Sequence, residues 1–285
     1  MRGNRFRHNL TTAMLLGPAT AWLVVFLVLP FIAIAVFSVG ERAPEGGYQA
    51  AFTFAQYANL PARAAAFWNT MVLAPIGALA CLLVAYPVAY YLALRAPQRW
   101  RLILLALVVI PFWTSLLMRT YAWMYILGGR GIPALLSYIG FEDIRLINTP
   151  GAVLLGIVYG YLPLMILPIF ASIEKLDPAL IEASHDLYGN RVTTLRRVIL
   201  PLTRPGMIAG AILVFVPSLG AVLEPTLLGG GKTMMMGNLI QLQFGGARNW
   251  PLGAAIAIVL MAAVMVFLIF QGLRSMRTEG MERAA

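Results

Sequence analysis

A chain of 285 residues that is 60% hydrophobic and 11% charged, with a mean hydropathy of +0.81, is too apolar for a soluble domain, in which charged residues make up about 25%. Its net charge of +10 would point to nucleic acid in a soluble protein, but here the placement of the charges matters more than their sum, and no nucleic-acid partner is expected. One cysteine, Cys81, and two histidines, His8 and His185, leave no material for a disulfide framework, a thiolate metal site or a histidine relay, so no metal is expected.

In chain order, a basic segment over residues 1–12 precedes an apolar run from about Ala13 to Val39. Ala33-Ile-Ala35 resembles a signal cleavage site, but the run is too long for a signal core and further spans follow, so a retained first span is expected. A polar segment, Gly40 to about Ala66, leads to a second span from about Phe67 to Leu94 and the basic turn Arg95–Arg101. The third span runs from Leu102 to about Leu127, and the connection from Gly128 to Pro150 carries a short helix near Ile132–Ile139. The fourth runs from about Gly151 to Ile173, the fifth from Gly206 to about Leu228, and the sixth from Pro251 to about Leu273, before a tail over residues 274–285. Runs of about 20 apolar residues each cross a bilayer core of about 30 Å as a helix. The expected fold is therefore an all-α polytopic membrane protein with about six transmembrane helices, a membrane domain over residues 13–273 between two cytoplasmic ends.

With the N-terminus inside, the inner segments hold fourteen Lys and Arg residues and the outer segments six, with Arg119 within a span. That bias puts both termini in the cytoplasm. It also puts there the polar stretch between the fourth and fifth spans, residues 174–205. Asp177-Pro178 reads as an N-cap with proline at the first helical position, and Asn190 caps a second helix. Leu180, Ala183 and Leu187 share one helical face; Val192, Leu195 and Ile199 are expected on the inner side of the second helix. Such an elbow suits docking to another protein.

Gly229-Gly-Gly-Lys-Thr233 hints at a phosphate loop, but the loop needs a glycine where Thr226 stands, and the segment faces outward; a flexible turn is expected. Arg119 and Glu224 lie at membrane depth, where a charge costs about 2.5–3.5 kcal/mol at a helix centre. They either pair structurally or line a solute path, for which Trp113, Tyr121, Trp123, Tyr159 and Tyr161 could supply aromatic walls around a cation. The same aromatics also suit interfacial anchoring. Prolines in the spans suit a bundle with a cavity and moving parts. No catalytic cluster emerges, so the chain is not expected to be an enzyme.

The elbow resembles the EAA loop of ABC importer permeases. Glu182-Ala183-Ser184 stands for Glu-Ala-Ala, and Val198-Ile-Leu200-Pro201 ends nineteen residues after Glu182, as in that pattern. Tyr188 occupies the glycine position, with Gly189 one residue later. Pro111-Phe-Trp-Thr-Ser115, Arg119-Thr-Tyr-Ala-Trp123, Tyr159-Gly-Tyr-Leu-Pro163 and Glu174-Lys-Leu-Asp-Pro178 are similar to the spermidine/putrescine-type permeases. The resemblance implies a type I importer architecture, paired with a second homologous permease, two cytoplasmic ATPase subunits and an external solute-binding protein. ATP and Mg would sit on the ATPases, with no cofactor on this chain. Glu182, Ala183, Ser184, Asp186, Gly189, Leu200 and Pro201 would form the ATPase-coupling loop. Where polyamine permeases of this type carry acids near the end of the fifth span, Ala221 and Thr226 stand here and Glu224 appears instead. A polyamine or related organic cation is the expected solute, with an amine, opine or amino-acid-like solute as the alternative; an ATPase-independent carrier, a membrane enzyme and a scaffold are the rival classes.

Overall fold

The computed structural model describes residues 2–141 and 144–282, most of it helical; Arg283, one of the inner charges counted above, lies outside the described residues. The helices are α1 Arg2–Ser38, α2 Ala55–Ala58, α3 Ala64–Tyr90, α4 Gln98–Trp113, α5 Leu116–Leu127, α6 Ile132–Ser137 and α7 Pro150–Glu174. There follow α8 Pro178–Asp186, α9 Arg191–Thr194, α10 Leu200–Leu202, α11 Arg204–Leu219, α12 Leu223–Leu227, α13 Met236–Phe244 and α14 Trp250–Glu282. Two compact units are built from them, residues 1–62 with 240–285, and residues 63–239.

In the first unit α1 packs along α14. A short antiparallel hairpin, β1 Glu41–Arg42 with β2 Tyr48–Gln49, turns on Gly46 and Gly47, whose φ of 89° and 97° favour glycine. The Gly47 N–H donates to Arg248 O at 2.7 Å, and Phe37 stacks on both Tyr48 and Trp250. The polar segment read from Gly40 to about Ala66 thus holds a hairpin and α2, because two-residue strands leave no periodic signal.

The second unit is a three-helix core of α3, α7 and α11. Without a hydrophobic drive between helices in lipid, close approach depends on small residues. Ala78, Cys81, Ala85 and Ala89 of α3 are buried against Met165, Ile166, Ile169 and Ile173 of α7. Gly206 and Gly210 let α11 close on α7, since a Cβ at Gly206 would lie 2.6 Å from the Pro168 carbonyl oxygen. A second cluster, including Leu73, Val153, Ile157, Leu228 and Met235, continues the core toward the other end.

Among the described residues, four helical stretches are long and apolar enough to cross a membrane unbroken: Leu16–Ser38, Leu60–Arg95, Pro150–Glu174 and Trp250–Gly272. Two bent pairs bring the number to six if each is one span: Gln98–Trp113 with Leu116–Ser137, at 91°, and Arg191–Leu202 with Arg204–Leu219, at 64°. The expected third span is therefore not a straight helix. Pro111 has no N–H to continue the ladder, and Thr114 and Ser115 turn extended, with ψ of 152° and 127°. The expected fifth span is broken too. Its helix ends at Leu219, and Glu224 lies beyond the break on the separate turn α12. The stretch between it and the sixth span is partly helical, as α13, whose start is held by Met236 N–H donating to Thr70 Oγ1 at 2.8 Å.

Candidate functional site

The elbow between α7 and α11 is closed by local polar bonds. Asp177 accepts from Ala179 N–H at 2.9 Å, ahead of Pro178, and opens α8. At the other end Tyr188 N–H donates to His185 O at 3.0 Å and Gly189 N–H to Ser184 O at 2.8 Å, a Schellman closure. That closure needs a left-handed residue, and Tyr188 supplies it at φ 58°. Gly189 answers a different demand: a Cβ there would lie 2.5 Å from Ser184 O. Asn190 then accepts from Thr193 N–H at 2.8 Å and caps α9. Ser184 and Thr194 bond through their hydroxyls at 2.9 Å and tie the two helices together. Thr194 was not singled out in the sequence, having no motif to mark it.

Glu182, Ala183 and Asp186 lie exposed on α8, Ser184 is half-buried, and Leu200 and Pro201 are half-buried where the second helix reaches α11. Leu187 and Tyr188 are 82% and 100% exposed, and Leu180 and Val192 are exposed as well. Val192 was expected on the inner side; only Leu195 and Ile199, further along, turn inward. The elbow thus offers an apolar surface with no cover among the described residues.

The ends of the broken spans bring a polar group together beside α7. Arg119 of α5 lies over the rings of Phe112 and Tyr159, 5.9 and 6.0 Å from their centres. Trp123 meets Tyr159 edge-on at 5.5 Å. Glu224 is 1% exposed, and its Oε1 has no hydrogen-bond partner among the described residues. It is received by Gly156 and Gly160, four residues apart on α7; a Cβ at Gly156 would sit 3.2 Å from Glu224 Cγ, and one at Gly160 3.6 Å from Oε1. Arg119 and Tyr161 are within electrostatic range of the carboxylate. Arg119 and Glu224 do not form an ion pair within 4.0 Å. Trp113, at the 91° break, is 83% exposed, and Tyr121 is exposed too; neither joins the group. Sequence reasoning missed Phe112 and the glycine notch, although Gly156-x-x-x-Gly160 was there to be read as a close-packing motif. The Gly229–Thr233 run forms a turn, with Gly230 and Gly231 at φ 56° and 78° and Thr233 Oγ1 donating to Gly229 O at 3.2 Å.

A helical membrane chain that holds a half-paired charge beside broken spans and presents a capped, uncovered elbow has the features of a transport component. The chain belongs to the family described as "Binding-protein-dependent transport system inner membrane component", whose model matches residues 85–279. It is 40% identical over 272 residues to the spermidine/putrescine transport system permease protein PotB of Haemophilus influenzae, covering 94% of this chain and 93% of that protein. The Escherichia coli PotB is 39% identical over 253 residues, 87% of this chain and 92% of that one. The inner membrane ABC transporter permease protein YdcU of Escherichia coli is 31% identical over 216 residues, 71% and 69%. The fold matches a crystal structure of a bacterial ABC transporter involved in the import of alginate, with a TM-score of 0.76 at 19% identity, over 96% of this chain and 98% of that one. A second, of the alginate transporter in complex with alginate pentasaccharide-bound periplasmic protein, gives 0.74 at 20% identity, over 95% of each chain. This is the architecture of an ABC importer permease.

Proposed function

We propose that this chain is the membrane subunit of an ATP-driven importer that carries polyamines or related organic cations. The uncovered elbow supports the powering step, because an apolar surface around Leu187 and Tyr188, braced by the Ser184–Thr194 bond, can pass rigid-body motion from a bound ATPase into α11. Two ATPase subunits holding ATP and Mg, a second permease and an external binding protein complete the machine, and both termini lie in the cytoplasm.

The observation that carries the solute class is Glu224, a buried carboxylate with a vacant hydrogen-bonding oxygen beside aromatic rings. An ammonium supplies the donor and the charge that this oxygen lacks. Likeness to the PotB proteins agrees with that chemistry. Arg119 favours a second reading, since one cation and one anion side by side also suit a zwitterionic amino-acid-like solute. Uptake of labelled spermidine, putrescine and a basic amino acid by cells producing the whole importer separates the two. Glu224→Gln is expected to cut polyamine uptake about tenfold, in line with the loss of one charge-assisted hydrogen bond, without loss of assembled subunits. Unchanged uptake kinetics would remove Glu224 from the path.

A further inference from the structure

Two stretches wind with π pitch, Tyr91–Arg95 at the end of α3 and Leu195–Ile199 within the elbow, and they are the only two among the described residues. Single π turns inside helices, of which Leu195–Ile199 is one, concentrate at functional sites. Both border one cavity of about 430 Å³ between the end of α3 and the elbow. Tyr90, Leu94, Ile181 and Ile199 give it an apolar wall, while Arg95 and Arg191 give it a cationic one with His185 beside them. No carboxylate lines it. Neither guanidinium has an ion-pair or hydrogen-bond partner among the described residues, and the His185 ring is held in place through Nδ1 by the Gly189 carbonyl at 3.0 Å.

Two unpaired guanidiniums facing a common space call for an anion with several acceptor oxygens, and a phosphate has the geometry to take both. The apolar wall selects among phosphates. Leu94 and Arg95 close the membrane-crossing stretch Leu60–Arg95, so the cavity lies at the level of the lipid headgroups, where apolar and cationic walls meet. We propose that it binds the headgroup of an anionic phospholipid, with the phosphodiester on Arg95 and Arg191 and the root of an acyl chain against Leu94 and Ile199. Basic pockets between helices on the cytoplasmic side are suited to such headgroups. The placement rests on the inward orientation of the elbow given above. A lipid wedged there touches α3 and the coupling elbow together, and so makes the elbow's footing depend on the surrounding bilayer.

The test uses the full chain, purified in detergent with its partner subunits, and reads melting temperature and lipid retained in native mass spectra. Phosphatidylglycerol is expected to raise the melting temperature by about 3 °C or more at saturation. Phosphatidylcholine and inorganic phosphate at equal concentration should each shift it by less than about 1 °C. Each arginine replaced should weaken retention about fivefold, so Arg95→Gln with Arg191→Gln loses the shift. Arg95→Lys with Arg191→Lys keeps most of it, and Arg130→Gln with Arg145→Gln keeps all of it. Equal shifts from phosphatidylglycerol and phosphatidylcholine would overturn the proposal, as would a full shift from inorganic phosphate, which marks a free-phosphate site. So would a glutamine variant that keeps the lipid but sheds a partner subunit, which marks a protein contact. Lipid retention is read without transport, so a failure to take up polyamine leaves this outcome standing.

Discussion

Tyr188 adopts the left-handed backbone, at φ 58°, that glycine takes freely, and for other L-residues this conformation costs about 1–2 kcal/mol. Its ring is fully exposed, so no burial of the side chain offsets that cost. Contact with a partner is the place where such a ring contributes, since tyrosine is favoured at interface hot spots. Tyr188→Gly is therefore expected to stabilise the chain by about 1 kcal/mol while loosening its hold on the ATPase, read as a higher melting temperature with less ATPase retained on a column. A variant that gains stability and keeps full retention would show the ring to be idle. Gly189→Ala goes the other way, because its methyl group would lie 2.5 Å from Ser184 O; a loss of about 1–3 kcal/mol is expected. The displaced glycine was legible in the sequence, but the division of labour was not. A Tyr-Gly pair offers either residue for the left-handed position, and only the backbone shows that tyrosine takes it while glycine makes the close approach. Glu224 was legible as a lone acid in an apolar stretch, yet not as a residue past a helix break, because hydropathy does not register the turn at Gly220 and Ala221.

At the level of elements, the elbow was the most readable part, since its two caps are side-chain chemistry written into Asp177-Pro178 and Asn190. The π turns were not readable: five residues are too few to separate their period from that of an α-helix. Nor was the 91° bend, because Pro111 alone is compatible with a kink or with a break. Docking belongs to this scale. Leu187→Asp puts a charge on the exposed apolar face, and Glu182→Ala removes an exposed acid beside it. Both are expected to lower solute-stimulated ATP hydrolysis about tenfold or more, with this chain still present in the membrane, measured in reconstituted vesicles. If both variants hydrolysed and transported at the parental rate, the elbow would not be the coupling element.

For the whole molecule, four of the six expected spans were legible from apolar length alone, and the path of the third crossing decides what the charges mean. If the bent pair of α4 and α5 crosses, Lys and Arg divide fourteen inside to six outside. If it dipped and returned, the elbow and tail would lie outside, Arg130, Arg145, Lys232 and Arg248 inside, and the division would be ten to ten. The positive-inside bias therefore favours a crossing. Cys81 is completely buried, so it gives little background for thiol labelling. Arg130→Cys is expected to react with a membrane-impermeant maleimide in intact spheroplasts, and Tyr188→Cys only after permeabilisation. Labelling of position 188 in intact spheroplasts would reverse the topology.

The two π turns also set what insertions and deletions the chain tolerates. Each holds one residue more than an α-helical turn needs, so losing a residue from Tyr91–Arg95 would restore regular winding without leaving a gap. The chain beyond it would keep its place, because five residues at π pitch and four at α pitch make about the same turn and rise. Losing a residue from a regular turn of α3 would instead rotate everything beyond it by about 100° and swing Arg95 away from Arg191. Single-residue deletions should therefore be tolerated within Tyr91–Arg95 and cost lipid retention when placed earlier in α3.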